Sequence, residues 1–215
     1  MADSRMSTYC GMFLRERFKM TKAYFNEKAD IWDQKVAEKD ISKLELMAGR
    51  LIIESGSTIL DVGTGTGVFL PYLLKKVGVQ GKIIAIDNAD KMLSKAKSKK
   101  IGDNVIYLCA DVMAIPLADD FCDAIVCYSS LPHFPDKPKA MIEMKRILKK
   151  GGQVFICHTS SREHINSIHR NLPSVHNDLL PDAIEMMTLL TNAGFADIQV
   201  EDKVDSYLAC GRRAK

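Results

Sequence analysis

An acidic side chain followed by three closely spaced glycines is the part of the sequence with the clearest chemical meaning. Asp61 precedes Gly63, Gly65 and Gly67, with Thr64 between the first two glycines. Glycine tolerates positive φ and lets a ligand approach the backbone. The helix that begins near Gly67 would present unpaired N–H groups to that ligand. The pattern predicts a short strand, then a ligand-binding loop, then a helix.

The spacing of the glycines distinguishes two kinds of cofactor site. A dinucleotide site requires G-x-G-x-x-G, but Val68 and Leu70 stand where the third glycine would fall. The observed acidic-x-G-x-G-x-G resembles the first motif of class I S-adenosylmethionine-dependent methyltransferases. This resemblance implies that Asp61 attracts the ammonium group of S-adenosylmethionine and that the glycines leave room for its sulfonium chain. A glycine-rich turn without a ligand is the alternative.

A second acidic residue follows at the end of the next apolar run, KIIAID. Asp87 lies 20 residues after Gly67, where an acid in nucleotide-binding units accepts hydrogen bonds from ribose hydroxyls. Capping of the following helix is the alternative role, and both can hold at once. The resemblance includes Asn88 in its second motif and implies that Met92 packs on the adenine face.

Further candidate residues end the third and fourth predicted strands. The resemblance implies that Asp111 binds the adenine amino group and that the backbone N–H of Val112 binds a ring nitrogen. Tyr128 directly follows the fourth predicted strand, Ala124 to Cys127, and ligands of open α/β sheets bind at that edge. The sequence therefore predicts one cofactor site built from several strand ends.

Aromatic residues near the N-terminus predict a substrate pocket. Phe25, Ala29, Trp32 and Asp33 match an F-x-x-x-A-x-x-W-D-like segment. This segment resembles one of the ubiquinone/menaquinone C-methyltransferases, in which it covers the cofactor and shapes the pocket. Tyr24 adjoins the segment. The alternative is an aromatic cluster that packs an N-terminal helix onto the sheet.

Two histidines are candidate catalytic and substrate-contacting residues. His133 follows the fourth strand and His158 ends the fifth. Histidine suits a general base because its ordinary pKa is near neutral. A structural hydrogen bond and a polar surface helix at 161–170 are the alternatives. No metal is predicted, because His164 and His169 are five positions apart and would diverge on a helix.

Strands and helices alternate along the 215 residues, which predicts one α/β domain with a doubly wound, mostly parallel sheet. The resemblance implies a Rossmann-like sheet of seven strands with strand 7 antiparallel. The predicted parts are a flexible N-terminal extension (1–20) and one methyltransferase domain (21–215) containing a helical cover (21–54), a cofactor-binding core (57–158), substrate-side helices (159–194) and closing strands (195–211).

The sequence favours methyl transfer from S-adenosylmethionine to a small molecule. A net charge of +3 does not argue for nucleic acid, and the motifs for methylation of adenine or glutamine amino groups and of pyrimidine carbons are absent. No apolar run reaches the ~20 residues of a membrane span. The N-terminus lacks an apolar signal core, so we expect a cytoplasmic protein, and we expect it to be a monomer or homodimer. A nicotinamide-dependent oxidoreductase and a non-catalytic cofactor-binding module are the alternatives.

Overall fold

A central β-sheet positions the functional residues. The computed structural model describes residues 3–35 and 40–215, except for the side chains of residues 3–15 and Lys35. The helices are α1 (Asp3–Lys28), α2 (Trp32–Lys35), α3 (Ile41–Arg50), α4 (Leu70–Val77), α5 (Asp90–Ser98), α6 (Lys137–Ile147), α7 (Arg162–Arg170) and α8 (Ala183–Ala193). The strands are β1 (Thr58–Val62), β2 (Lys82–Asp87), β3 (Val105–Cys109), β4 (Cys122–Tyr128), β5 (Leu148–His158), β6 (Phe195–Asp202) and β7 (Tyr207–Arg213).

The seven strands of the described residues form one sheet in the order β3-β2-β1-β4-β5-β7-β6. Strands β1 to β5 pair in parallel, whereas β7 runs antiparallel to both β5 and β6. The predicted fold class is therefore confirmed. The strand order reverses between β1 and β4, and such a switch point leaves a crevice at the carboxyl ends of the strands.

Apolar side chains on both faces of the sheet hold the helices in place. Along β1, Leu60 and Val62 belong to one buried cluster, whereas Ile59 belongs to the other, because successive side chains of a strand point to opposite faces. Helices α6 and α8 pack into the first cluster, and α3 and α4 pack into the second. Both faces of β1 are covered, so its carboxyl end is fixed in position.

The N-terminal segment differs from its prediction. The sequence predicts a loose extension over residues 1–20, but the single helix α1 runs from Asp3 to Lys28 and crosses the expected boundary at residue 21. Apolar residues are scattered along this helix rather than forming one stripe, so no helical period is visible. Residues 1 and 2 of the predicted extension lie outside the described residues, as do residues 36–39 of the predicted helical cover. None of the described helices has the length and apolar character that a bilayer span requires.

Candidate functional site

A cavity of about 540 Å³ lies at the carboxyl ends of β1, β2 and β4. The glycine loop and the strand ends form one part of its wall, and α1, α2 and α7 contribute side chains to the rest. The cavity thus occupies the crevice that the reversal of strand order creates. We call the part beside the glycine loop the cofactor end, and the part lined by His133, His158 and α7 the acceptor end.

The glycine loop needs the conformations that glycine allows. Gly63, Gly65 and Gly67 have φ of 69°, 55° and 78°. A Cβ at Gly63 would lie 2.4 Å from the Cβ of Ser130, so a side chain has no room there. A Cβ at Gly65 would meet no atom within 4 Å, and Gly65 lines the cavity. The loop is therefore packed from behind at Gly63 and open to a ligand at Gly65.

Nine of the eleven residues predicted to bind the cofactor line this cavity. The other two are placed differently. Asp61 is 2% exposed and lies behind the loop, where burial raises its pKa to about 7 despite the opposing effect of the Thr64 side chain. Gly67 packs towards Leu70 rather than the cavity. The nine are Gly63, Thr64, Gly65, Asp87, Asn88, Met92, Asp111, Val112 and Tyr128.

Asp87 organises the loop from the end of β2. Its Oδ2 accepts a hydrogen bond from the Gly65 N–H at 2.8 Å, and its Oδ1 accepts one from the Ala89 N–H at 2.8 Å. Burial raises the pKa of Asp87, and the bonds from Ala89 and Gly65 oppose that rise. The N-cap residue of α5 is Ala89, whose side chain makes no capping hydrogen bond, so Asp87 contacts the residue at the helix start without being its N-cap. Asp87 also lines the cavity, so the arrangement leaves a ligand-binding role open.

Aromatic side chains cover the cofactor end. The rings of Tyr24 and Phe25 are 5.3 Å apart, as are those of Phe25 and Trp32. Phe25 and Trp32 also pack against a small buried group that contains Met92. All five residues predicted for the substrate pocket, namely Tyr24, Phe25, Trp32, His133 and His158, line the cavity.

Polar contacts fasten this cover to the glycine loop. The Thr66 hydroxyl donates to Asp33 Oδ1 at 2.6 Å. The Lys99 ammonium bridges the same two residues, with its Nζ 2.8 Å from Asp33 Oδ2 and 2.6 Å from the Thr66 carbonyl oxygen. Asn26 on α1 donates to Asp90 and accepts from the Lys91 N–H, each at 3.0 Å. Both α1 and α2 are thereby joined to the cofactor end.

The acceptor end contains an ordered group of histidines. His158 is 2% exposed, and its Nε2 has no hydrogen-bond partner among the described residues. Burial lowers the pKa of His158 to about 3. His164 and His169, both on α7, also line the cavity. No set of three or more metal-ligating side chains is assembled within the described residues.

Several residues at this site have no signal in the sequence motifs. The Asp178 carboxylate contacts His133 and Arg17 at 2.9 and 2.6 Å, and Phe18 on α1 lines the cavity. Asp178 lies 45 positions from His133, and no local pattern links residues so far apart. The run of histidines did mark the α7 region, although it did not distinguish a surface helix from a cavity wall.

Comparisons with known proteins agree with this geometry. Residues 60–156 match the family model described as a methyltransferase domain. Methyltransferase GfsG of Streptomyces halstedii is 33% identical over 123 residues, which cover 56% of this chain and 44% of that protein. The ubiquinone/menaquinone biosynthesis C-methyltransferase UbiE of Idiomarina loihiensis is 34% identical over 108 residues, which cover 48% of this chain and 43% of that protein.

A solved structure extends the match over most of the chain. A SAM-dependent methyltransferase from Aquifex aeolicus superposes with a TM-score of 0.67 and 27% identity, covering 86% of this chain and 97% of the other. The chain spans under half the length of the two curated relatives named above. Taken with the sheet order and the glycine loop, these matches show that this chain is similar to S-adenosylmethionine-dependent methyltransferases over residues 60–156 and in its overall fold.

Proposed function

We propose that the protein transfers a methyl group from S-adenosylmethionine to a small-molecule acceptor. The observation that carries this proposal is that one cavity joins the glycine loop to a wall of aromatic and histidine side chains. A cofactor held at the loop would therefore face an acceptor within the same enclosure. The cover formed by α1 and α2 would exclude water from both.

The residues at the cofactor end fit S-adenosylmethionine. The open face of Gly65 gives the backbone contact that an extended amino-acid tail requires. Asp61 lies behind the loop, and in our proposal its carboxylate attracts the ammonium group directly or through water. We assign the ribose hydroxyls to Asp87, and the adenine ring to Met92, Asp111 and the Val112 N–H. Asp87, Met92, Asp111 and Val112 all line the cavity.

The domain's part in catalysis would be mainly alignment. When bound, the cofactor supplies a methyl carbon that its sulfonium already activates. The protein then has to hold the acceptor in line with that carbon and to keep water away. Tyr24, Phe25 and Trp32 are placed to do both, because they line the cavity and pack against one another.

The small-molecule class rests on the enclosure and on the relatives. The cavity volume of about 540 Å³ has to accommodate both cofactor and acceptor, which favours a compact acceptor over a folded macromolecule. One relative is named for ubiquinone and menaquinone biosynthesis, which supports the same class. A cytoplasmic location and a monomeric or homodimeric state remain predictions from the sequence.

Isothermal calorimetry tests the proposal most directly. S-adenosylmethionine, S-adenosylhomocysteine and NAD are titrated in parallel into the purified protein. We expect the two sulfur nucleosides to bind at micromolar strength or better and NAD not to bind. Binding of NAD, or of no ligand, would contradict the proposal. Tight cofactor binding without formation of S-adenosylhomocysteine with any acceptor would instead identify a non-catalytic module.

A further inference from the structure

We infer that Asp178 positions His133 as the general base that removes a proton from a hydroxyl group of the acceptor. This inference rests on the proposed methyl transfer and adds the class of acceptor to it. Its evidence comes from the acceptor end of the cavity, where side chains from two other parts of the chain contact the Asp178 carboxylate.

Asp178 is a buried residue in the segment between α7 and α8, with 3% of its surface exposed. Its Oδ2 lies 2.9 Å from Nδ1 of His133, and its Oδ1 accepts a hydrogen bond from Nη2 of Arg17 on α1 at 2.6 Å. Its backbone carbonyl accepts a hydrogen bond from Nδ1 of His169. Asp178 thus fixes both imidazole rings at the cavity wall, and their centroids are 4.9 Å apart.

The charge of Asp178 determines which nitrogen of His133 carries the proton. Burial alone would raise the pKa of Asp178, but the bonds and charges of His133 and Arg17 outweigh burial and hold it below its usual value. An ionised carboxylate can only accept hydrogen bonds, so the neutral His133 ring must donate from Nδ1. Its Nε2 then carries a lone pair, and no described residue donates a hydrogen bond to that atom. A histidine held in this tautomer is prepared to accept a proton from a ligand.

The other two histidines are less suited to this role. His158 is a weak base, because burial lowers its pKa to about 3. Burial also lowers the pKa of His169, with a further contribution from His133. His169 is therefore neutral and donates from Nδ1 to the Asp178 carbonyl, which leaves its Nε2 as a second hydrogen-bond acceptor. The geometry points to His133 as the base and to His158 and His169 as neutral neighbours.

This arrangement favours a hydroxyl acceptor with an apolar body. Phe18, Ile165, Ile168 and Val175 line the same cavity as these imidazoles. A neutral amine attacks through a lone pair it already has, and a thiol ionises near pH 8.5 without strong assistance. An alcohol or phenol gains most from a base. The hydroxyl proton passes to Nε2 of His133, the oxygen forms a bond to the methyl carbon, and the electron pair of the broken carbon–sulfur bond stays on sulfur. The products are a methyl ether, S-adenosylhomocysteine and a protonated His133.

Nitrogen NMR of the ligand-free protein tests the positioning role without any turnover. In long-range ¹H–¹⁵N spectra of the wild-type protein, we expect neutral His133 to carry its proton on Nδ1. In Asp178→Asn, Arg17 can only donate, so the amide oxygen stays towards Arg17 and the NH₂ group faces His133. We therefore expect the proton to move to Nε2. Asp197→Asn is the matched control, because Asp197 is exposed on β6 with a φ of 51° that Asn tolerates, and we expect it to leave His133 unchanged.

The outcomes separate this inference from the proposed function. A wild-type His133 protonated on Nε2, or an unchanged tautomer in Asp178→Asn, would overturn the positioning role even if S-adenosylhomocysteine binds. To test the acceptor class, 4-methylphenol and 4-methylanisole are added to the protein with S-adenosylhomocysteine. We expect only 4-methylphenol to shift the Nε2 resonance of His133, because only it donates a hydrogen bond. Equal shifts, or no shift with 4-methylphenol, would overturn the hydroxyl class.

Discussion

Replacing single glycines with alanine should separate the stability of the loop from its capacity to bind the cofactor. Gly65 and Gly56 both have positive φ, 55° and 85°, and a Cβ at either would meet no atom within 4 Å. Alanine in a left-handed conformation costs about 1–2 kcal/mol, so both substitutions should lower the free energy of unfolding by that amount. Only Gly65 lines the cavity. Its added methyl group would take space from the cofactor at a cost of about 1–3 kcal/mol, which is a roughly 5- to 150-fold rise in Kd.

Gly63→Ala provides the contrasting case. Its Cβ would lie 2.4 Å from the Cβ of Ser130, so about 1–3 kcal/mol of steric strain adds to the conformational cost. We expect a loss of about 2–5 kcal/mol in the free energy of unfolding. Urea unfolding followed by circular dichroism measures stability, and calorimetry with S-adenosylhomocysteine measures binding. An unchanged Kd in Gly65→Ala, or an equal weakening in Gly56→Ala, would refute the placement of the cofactor against the loop.

Three further substitutions test other parts of the cofactor end. Asp87→Ala removes the carboxylate that accepts from the Gly65 N–H and lines the cavity, so calorimetry should show at least about tenfold weaker binding of S-adenosylhomocysteine; full affinity would exclude Asp87 from the site. Asp61→Asn should remove a pH dependence of stability. The folded pKa of Asp61 is about 7, above its unfolded value, so wild-type stability falls as pH rises from about 4 to about 7, and urea unfolding of the variant should show a smaller fall. Thr66→Val removes the 2.6 Å hydrogen bond to Asp33, worth about 0.5–1.5 kcal/mol. Hydrogen exchange over residues 29–35 should then be faster than in the wild type, and unchanged exchange would show that this hydrogen bond does not hold α2 in place.

The sheet and the cofactor end could be predicted because their signals are local. The run KIIAID is bounded by Gly81 and ends in an acid, and β2 has the predicted limits, Lys82–Asp87. The glycines that need positive φ follow the strand directly. In an open α/β sheet, ligands bind at the carboxyl ends of the strands. The residues that follow each strand can therefore be assigned to one site from the sequence alone.

The acceptor end could not be predicted in the same way, because its contacts join distant segments. Arg17 and His133 meet at Asp178, which lies 161 and 45 positions from them. A single sequence contains no periodicity that reports such a contact. The helix over residues 3–20 has no clear signal in the sequence either, because α1 lacks one continuous apolar stripe. For Asp61, the sequence predicts the residue's place at the end of β1 but not its burial. That burial depends on how β1 packs against the rest of the fold.

Polar contacts attach α1 at both ends of the cavity, and this has a thermodynamic consequence. Arg17 binds Asp178 at the acceptor end, and Asn26 binds Asp90 and Lys91 at the cofactor end. Arg17 and Asn26 are nine residues apart, which is roughly 14 Å along the axis of α1 at 1.5 Å per residue. A ligand that stabilises the contacts of α1 at one end of the cavity also reduces the mobility of α1 at the other end. We therefore expect the cofactor and the acceptor to bind with positive cooperativity. Linkage requires each to raise the affinity of the other by the same factor. Detachment of this one helix would then be needed to release both products.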